Sequence, residues 1–245
     1  MKTVLFVVSE VGYTWDEVIL PLEEFQLAGF EVAIATPGGR PAQPDPAGVK
    51  CYPLLHLIGY GTRRGRSPNS PLGRALSKQL AEPLDLRAQA AVEYDALYIA
   101  GGHGALFDLH NNAQLRALIR DFYRQDKVIG ALCHSSSILC EVEIDGDSLA
   151  ARHRLTGFPA ALEHVILTAR LVDRRFLPMP LWTGRQLNHN RRRRPLWFRI
   201  LEVLNLYTTV RDGQIVTGVG PKSSRRVAAE MMTAMASQPA AVAVQ

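Results

Sequence analysis

Cysteine is scarce in this chain. Cys51, Cys133 and Cys140 are three among 245 residues, and no two sit at metal-ligand spacing. That excludes a disulfide-stapled secreted scaffold and a cysteine-based zinc site, and it fits free thiols in a reducing compartment. Long apolar runs are lacking too. The first, Val4 to Val8, is too short for a signal peptide or a membrane span, so a cytoplasmic address is expected. Charge of one sign is not in excess: 28 basic against 23 acidic residues leave a formal net charge of +5 spread along the chain. Nucleic acid is therefore not an expected partner. There is no internal repeat, and Arg191 to Arg194 is the only low-complexity element.

What the sequence does contain is apolar patterning. Hydrophobic residues make up 47% and charged residues 21%, enough for a sizeable core. An apolar strand at Val4 to Val8, a helical pattern from about Asp16 to Ala28 and a strand at Glu31 to Ala35 form a βαβ unit. Thr36-Pro37-Gly38-Gly39 breaks the pattern, and residues 37–90 read as an excursion above the sheet with a short helix at Leu72 to Leu80. A strand at Ala96 to Ile99, a helix at about Asn112 to Gln125 and a fully apolar strand at Val128 to Leu132 come next, the last suited to burial on both faces. Tyr207 to Arg211 and Gln214 to Thr217 flank Asp212-Gly213, a hairpin signal, and Ser223 to Ala236 reads as a final helix. The expectation is one α/β domain over residues 1–245, with a doubly wound, mostly parallel sheet flanked by helices and a late β-hairpin.

Ligand crevices of such sheets lie beyond the carboxyl ends of the strands. Cys133 sits there, between strand Val128 to Leu132 and a helix expected at about Ser135 to Leu139, where the helix dipole and the adjoining His134 would favour the thiolate. A lone cysteine after an apolar strand is more often a small buried hydrophobe. The second strand end, Ala100-Gly101-Gly102-His103-Gly104, shifts the balance. Its glycines allow a close backbone approach and free N–H groups for an oxyanion, although His103 could simply cap a helix.

AGGHGALFDL (Ala100 to Leu109) with ALCHSSSIL (Ala131 to Leu139) resembles the ThiJ/PfpI superfamily, also described as class I glutamine-amidotransferase-like. Gly12 to Pro21, Ala28 to Val32, Ala35 to Gly39, Thr156-Gly157-Phe158 and Val216-Thr217-Gly218 are similar to its glyoxalase III or heat-shock chaperone branch. The resemblance implies a flavodoxin-like fold with Cys133 as nucleophile and His134 as its imidazole partner. It puts an acidic residue beside the thiol at Glu17, with Asp16 as competitor, and a third triad member at Glu163, seven positions after Thr156. Gly101, Gly102, His103 and Ser135 are the candidates for holding substrate and oxyanion. The implied chemistry is cofactor-free and metal-free conversion of a small reactive carbonyl compound, methylglyoxal to lactate, or the work of a related lyase, hydratase or biosynthetic enzyme. A non-catalytic chaperone or cysteine redox sensor is the alternative, and a protease or amidase ranks last. A homodimer is also implied.

The sequence departs from the family in three places. Ser135, Ser136 and Ser137 come after Cys-His where glycine is common, either adding hydroxyl contacts or satisfying backbone at a helix start. Gly220 replaces an asparagine before Pro221. Residues 178–206 look inserted, with Arg191 to Arg194 leading into apolar Leu196, Trp197, Ile200, Leu201, Val203 and Leu204. That segment could be a lid, a dimer contact, a solvated loop ending in a core helix, or a membrane-surface contact through Arg191 to Leu206. A thiolate at Cys133 would make it the first of the three cysteines to be alkylated at neutral pH, ahead of Cys51 and Cys140, an expectation that depends on the thiol being ionised and reachable.

Overall fold

Strands apolar at every position cannot leave a face in water, so they must lie between two layers. The computed structural model describes residues 1–49, 66–188 and 195–238. Cys51 and Arg191 to Arg194 fall outside the described residues. The strands are β1 (Thr3–Val7), β2 (Glu31–Thr36), β3 (Leu84–Asp85), β4 (Ala96–Ile99), β5 (Val128–Leu132), β6 (Glu143–Ile144), β7 (Asp147–Ser148), β8 (Thr209–Asp212) and β9 (Ile215–Gly218). Seven form one sheet in the order β3-β2-β1-β4-β5-β9-β8, parallel except for the β8–β9 pair, while β6 and β7 pair separately.

The period of two along each strand sorts the core. Val4 and Phe6 of β1, Ala96 and Tyr98 of β4, and Val128 and Leu132 of β5 join one cluster. There they meet Val18, Ile19, Leu22 and Phe25 of the Asp16–Leu27 helix and Val227 and Met231 of the Ser224–Ser237 helix. The intervening residues, Leu5, Val7, Leu97, Ile99, Ile129 and Ala131, meet Leu115, Leu118, Ile119 and Phe122 of the Ala113–Arg124 helix in the second cluster. Helices therefore cover both faces, as a doubly wound sheet requires.

Pro21 lies inside the Asp16–Leu27 helix, where it has no N–H for the carbonyl four residues earlier. That carbonyl belongs to Glu17, and the Tyr98 hydroxyl donates to it instead, at 2.6 Å. A helix-breaking residue thus ties the turn carrying Glu17 to β4.

Several expectations shift. The hairpin turn is Gly213-Gln214, because Asp212 pairs with Ile215 as part of β8. Gly213 has φ +63°, and a positive φ at the first of two central residues is the type II′ requirement. The excursion contributes β3, and its helix spans Pro71–Ala81, with the Ser70 hydroxyl accepting from Gly73 N–H at 3.0 Å. The helix Ala160–Thr168 carries no apolar stripe for sequence to reveal, since only Glu163 and Ile166 are buried on it. The Leu196–Leu204 helix exists but is not a core helix. It buries Phe198 and Glu202 and exposes Leu196, Trp197, Ile200, Leu201 and Leu204. Inside, the Thr156 hydroxyl donates to Glu202 Oε1 at 2.5 Å. Among the described residues, no helix is long and apolar enough to cross a membrane.

Candidate active site

The carboxyl ends of β1, β4, β5 and β9 bring four segments to one sheet edge: Ser9–Trp15, Ala100–Gly104, Cys133–Cys140 and Val219–Pro221. Cys133 comes directly after β5 with φ +59°, a left-handed conformation that a residue with a Cβ adopts at a cost of about 1–3 kcal/mol. The sharp turn lifts the side chain off the strand. It opens a 3-10 helix, Cys133–Cys140, which takes in the helix expected at about Ser135 to Leu139.

Gly101 makes room for the sulfur's neighbours. A Cβ there would stand 2.4 Å from Glu17 Oε2, 2.4 Å from the Leu132 carbonyl oxygen and 2.8 Å from Cys133 Cβ. Gly102, at φ +119°, is pressed against the Gly12–Thr14 backbone, where any side chain would collide. The second strand end is thus locked on the first loop, and Glu17 reaches across Gly101 to the thiol.

The site is nearly dry. Cys133 is 3% exposed, His134 2%, and Glu17 and Glu163 are fully buried. Burial pushes Glu17 from its ordinary 4.5 up to about 8, against the lowering influence of the Cys133 thiol and the Gly101 backbone, so it is a neutral acid at neutral pH. Asp16 is half-buried and adds a further upward push; it is Glu17 that lies beside the sulfur. Burial also drives the Cys133 thiol up and holds His134 well down, the latter helped by nearby His103. The resting pair is therefore thiol and neutral imidazole. This reverses the expectation of a thiolate favoured by a helix dipole: desolvation outweighs the short 3-10 turn.

Cys133 Sγ lies 3.2 Å from His134 Nδ1. A neutral imidazole that accepts the thiol proton at Nδ1 carries its own proton on Nε2, which points towards Glu163 Oε1 at 3.6 Å. That separation is longer than a hydrogen bond. Glu163 accepts instead from the N–H groups of Thr183, at 2.8 Å, and Gly184, at 3.4 Å, at the start of the Thr183–Leu187 helix. Burial raises it to about 7, with those N–H groups opposing.

The Ser135 hydroxyl satisfies backbone groups, the second of the two roles expected for it. It accepts from Leu132 N–H at 3.0 Å and lies 2.8 Å from both the Ile99 and Leu132 carbonyls, so it staples the ends of β4 and β5. Ser137 donates to the His134 carbonyl at 2.8 Å. Ser136 alone of the three has a buried hydroxyl with no hydrogen-bond partner among the described residues. Thr156-Gly157-Phe158 docks on Cys133, with Phe158 N–H reaching the Cys133 carbonyl at 3.3 Å and its ring stacked on His134, centroids 4.9 Å apart. Gly220 adjoins the sulfur, for a Cβ there would be 3.9 Å from Sγ. The departure from asparagine therefore leaves space beside the Cys133 sulfur.

His103 is buried among Phe176, His134 and Asp45, with its Nδ1 2.6 Å from Asp45 Oδ2. Sequence reading missed Asp45 and Phe176. Asp45 lies 58 positions from its partner, in Pro44-Asp45-Pro46, where only a lone carboxylate between prolines hinted at a fixed position. No group of three or more potential metal ligands is present among the described residues.

Residues 2–234 match the family model described as DJ-1/PfpI. The chain belongs to the DJ-1/PfpI family. Among DJ-1/PfpI relatives, it is 28% identical over 231 residues to the glutathione-independent glyoxalase hsp3102 of Schizosaccharomyces pombe, covering 93% of this chain and 90% of that one. It is 27% identical over 237 residues to Glyoxalase 3 of Candida albicans, covering 95% and 90%. The crystal structure of glyoxalase III from Candida albicans superimposes with a TM-score of 0.67 at 21% identity, covering 95% of this chain and 97% of that one, a likeness of fold.

Glu17 links the site to stability. The unfolded chain releases its proton near pH 4.5, while the folded protein keeps it to about 8. Wild type therefore loses stability as pH rises through that window. Glu17→Gln has no proton to lose, so denaturation midpoints should show the variant gaining on wild type between those pH values, by on the order of a few kcal/mol at the top. A difference that does not change with pH would contradict a buried neutral acid.

Proposed function

We propose that this protein is a cysteine-dependent, glutathione-independent glyoxalase acting on 2-oxoaldehydes such as methylglyoxal. One observation carries the reading: a buried thiol faces a neutral imidazole at 3.2 Å, with a neutral carboxylic acid against its other side. Relatives named as glyoxalases support it.

The sulfur attacks the aldehyde carbon as His134 Nδ1 takes the thiol proton and returns it to the new oxygen, giving a hemithioacetal on Cys133. Backbone N–H groups near Gly102 and His134 stabilise the oxyanion while it lasts. Neutral His134 then removes the proton from C1 and redelivers it at C2, converting the hemithioacetal into a 2-hydroxyacyl thioester. An imidazole held neutral by burial is suited to the abstraction, since Nδ1 must be free of a proton when it takes one from C1. Glu17 in its acid form offers a hydrogen bond to sulfur whenever the thiolate appears. Glu163 faces the Nε2 side of His134 and stabilises the transient imidazolium. Water releases the acid from the thioester.

A redox-sensor role fits less well, because sensor cysteines are exposed and readily ionised, and Cys133 is neither.

The test is lactate formation from methylglyoxal in the absence of glutathione. Wild type should turn over and Cys133→Ala should not, while His134→Ala should fall by about 10²–10⁴-fold. Equal rates for wild type and Cys133→Ala would eliminate the mechanism.

A further inference from the structure

The thioester must be hydrolysed, and His134 is committed to the sulfur side of the site: Nδ1 lies 3.2 Å from Sγ and Nε2 faces Glu163. A second imidazole adjoins it. The His103 ring centroid is 5.0 Å from that of His134, and Phe176 stacks on His103 at 5.7 Å. His103 Nδ1 lies 2.6 Å from Asp45 Oδ2, and both side chains are buried. This is the geometry of a carboxylate that fixes a tautomer: Nδ1 carries the proton and donates it to Asp45, so Nε2 keeps a lone pair. Nε2 is itself buried and makes no hydrogen bond among the described residues. A buried ring nitrogen left unpaired would cost about 1–3 kcal/mol, and with no protein partner among the described residues a water or a substrate atom is the partner its lone pair suits.

We propose that His103, oriented by Asp45, is the base that activates water for hydrolysis of the Cys133 thioester. The inference rests on the glyoxalase reading above and adds its last step. Water attacks the thioester carbonyl carbon as His103 Nε2 takes one of its protons, and Asp45 stabilises the imidazolium that results. The tetrahedral intermediate collapses with cleavage of the C–S bond. The water hydroxyl stays on the 2-hydroxy acid, and the proton held by His103 returns to the departing thiolate, restoring the thiol. His103 is thus a catalytic residue that touches the attacking water, and Asp45 is a positioning residue acting through it.

The experiment is acid quench of enzyme mixed with methylglyoxal, followed by intact mass, alongside steady-state lactate release, for wild type, His103→Gln and Asp45→Asn. Both variants should lose about 10²-fold or more in turnover while a lactoyl group builds up on Cys133. Hydroxylamine should strip that group, and added imidazole should speed its release from His103→Gln, a rescue that a packing defect would not show. Accumulation also proves the variant folded, since its first half-reaction has run. Wild-type rates in both variants would overturn the role of His103. So would native melting with no acylation of either variant, because that puts His103 before the thioester. If wild type itself forms neither lactate nor adduct, the glyoxalase reading fails, and this step with it.

Discussion

Removing water from around one sulfur atom is the constraint on which this protein's chemistry depends. Cys133, Glu17, His134 and Glu163 would each be charged or readily ionised in solution, yet all are buried at the carboxyl edge of the sheet. In a medium that penalises every charge, the favoured resting state is the neutral one. Glu17 keeps its proton to about pH 8, His134 stays neutral, and Cys133 stays a thiol. In the mechanism proposed above, charge appears only as reaction proceeds, where fixed dipoles and neighbouring groups meet it without water having to reorganise.

The fold holds this arrangement against its tendency to disperse. Pro21 and the Tyr98 hydroxyl fasten the turn that carries Glu17, Gly101 lets the carboxyl pass, and Ser135 ties the ends of β4 and β5 beneath Cys133. Cys133 itself adopts a backbone conformation that the surrounding hydrogen bonds must enforce. The Thr183–Leu187 helix is held through Glu163, so this carboxyl has a structural duty as well as its place beside His134.

The sheet was legible in sequence because its central strands are apolar on both faces; β4 and β5 fall where the pattern puts them. Cys133 and His134 could be found from position alone, at a strand end facing a glycine-rich loop. Glu17 and Glu163 could not, since a single acidic residue on a helix reads as solvated until the fold buries it, and only the family resemblance pointed to them. Asp45 escaped entirely, because its meaning lies in a contact across 58 positions that no local pattern encodes. Ser135 had two readings in sequence, substrate contact or backbone partner, and its hydrogen bonds to the ends of β4 and β5 favour the second. The hairpin slipped by one residue because Asp-Gly fits two turn types, and pairing of Asp212 with Ile215 decides between them.

Gly220 leaves space beside the sulfur, and the Leu196–Leu204 helix turns its apolar side outward. The buried site is what infrared spectroscopy addresses most directly. The carbonyl stretch of a protonated carboxyl, assigned by its loss in Glu17→Gln, should be present in the resting protein at neutral pH and fade as the pH passes about 8. No such band at neutral pH would mean that Glu17 is ionised in the folded protein, and the site would not be the dry assembly of neutral partners on which the mechanism depends.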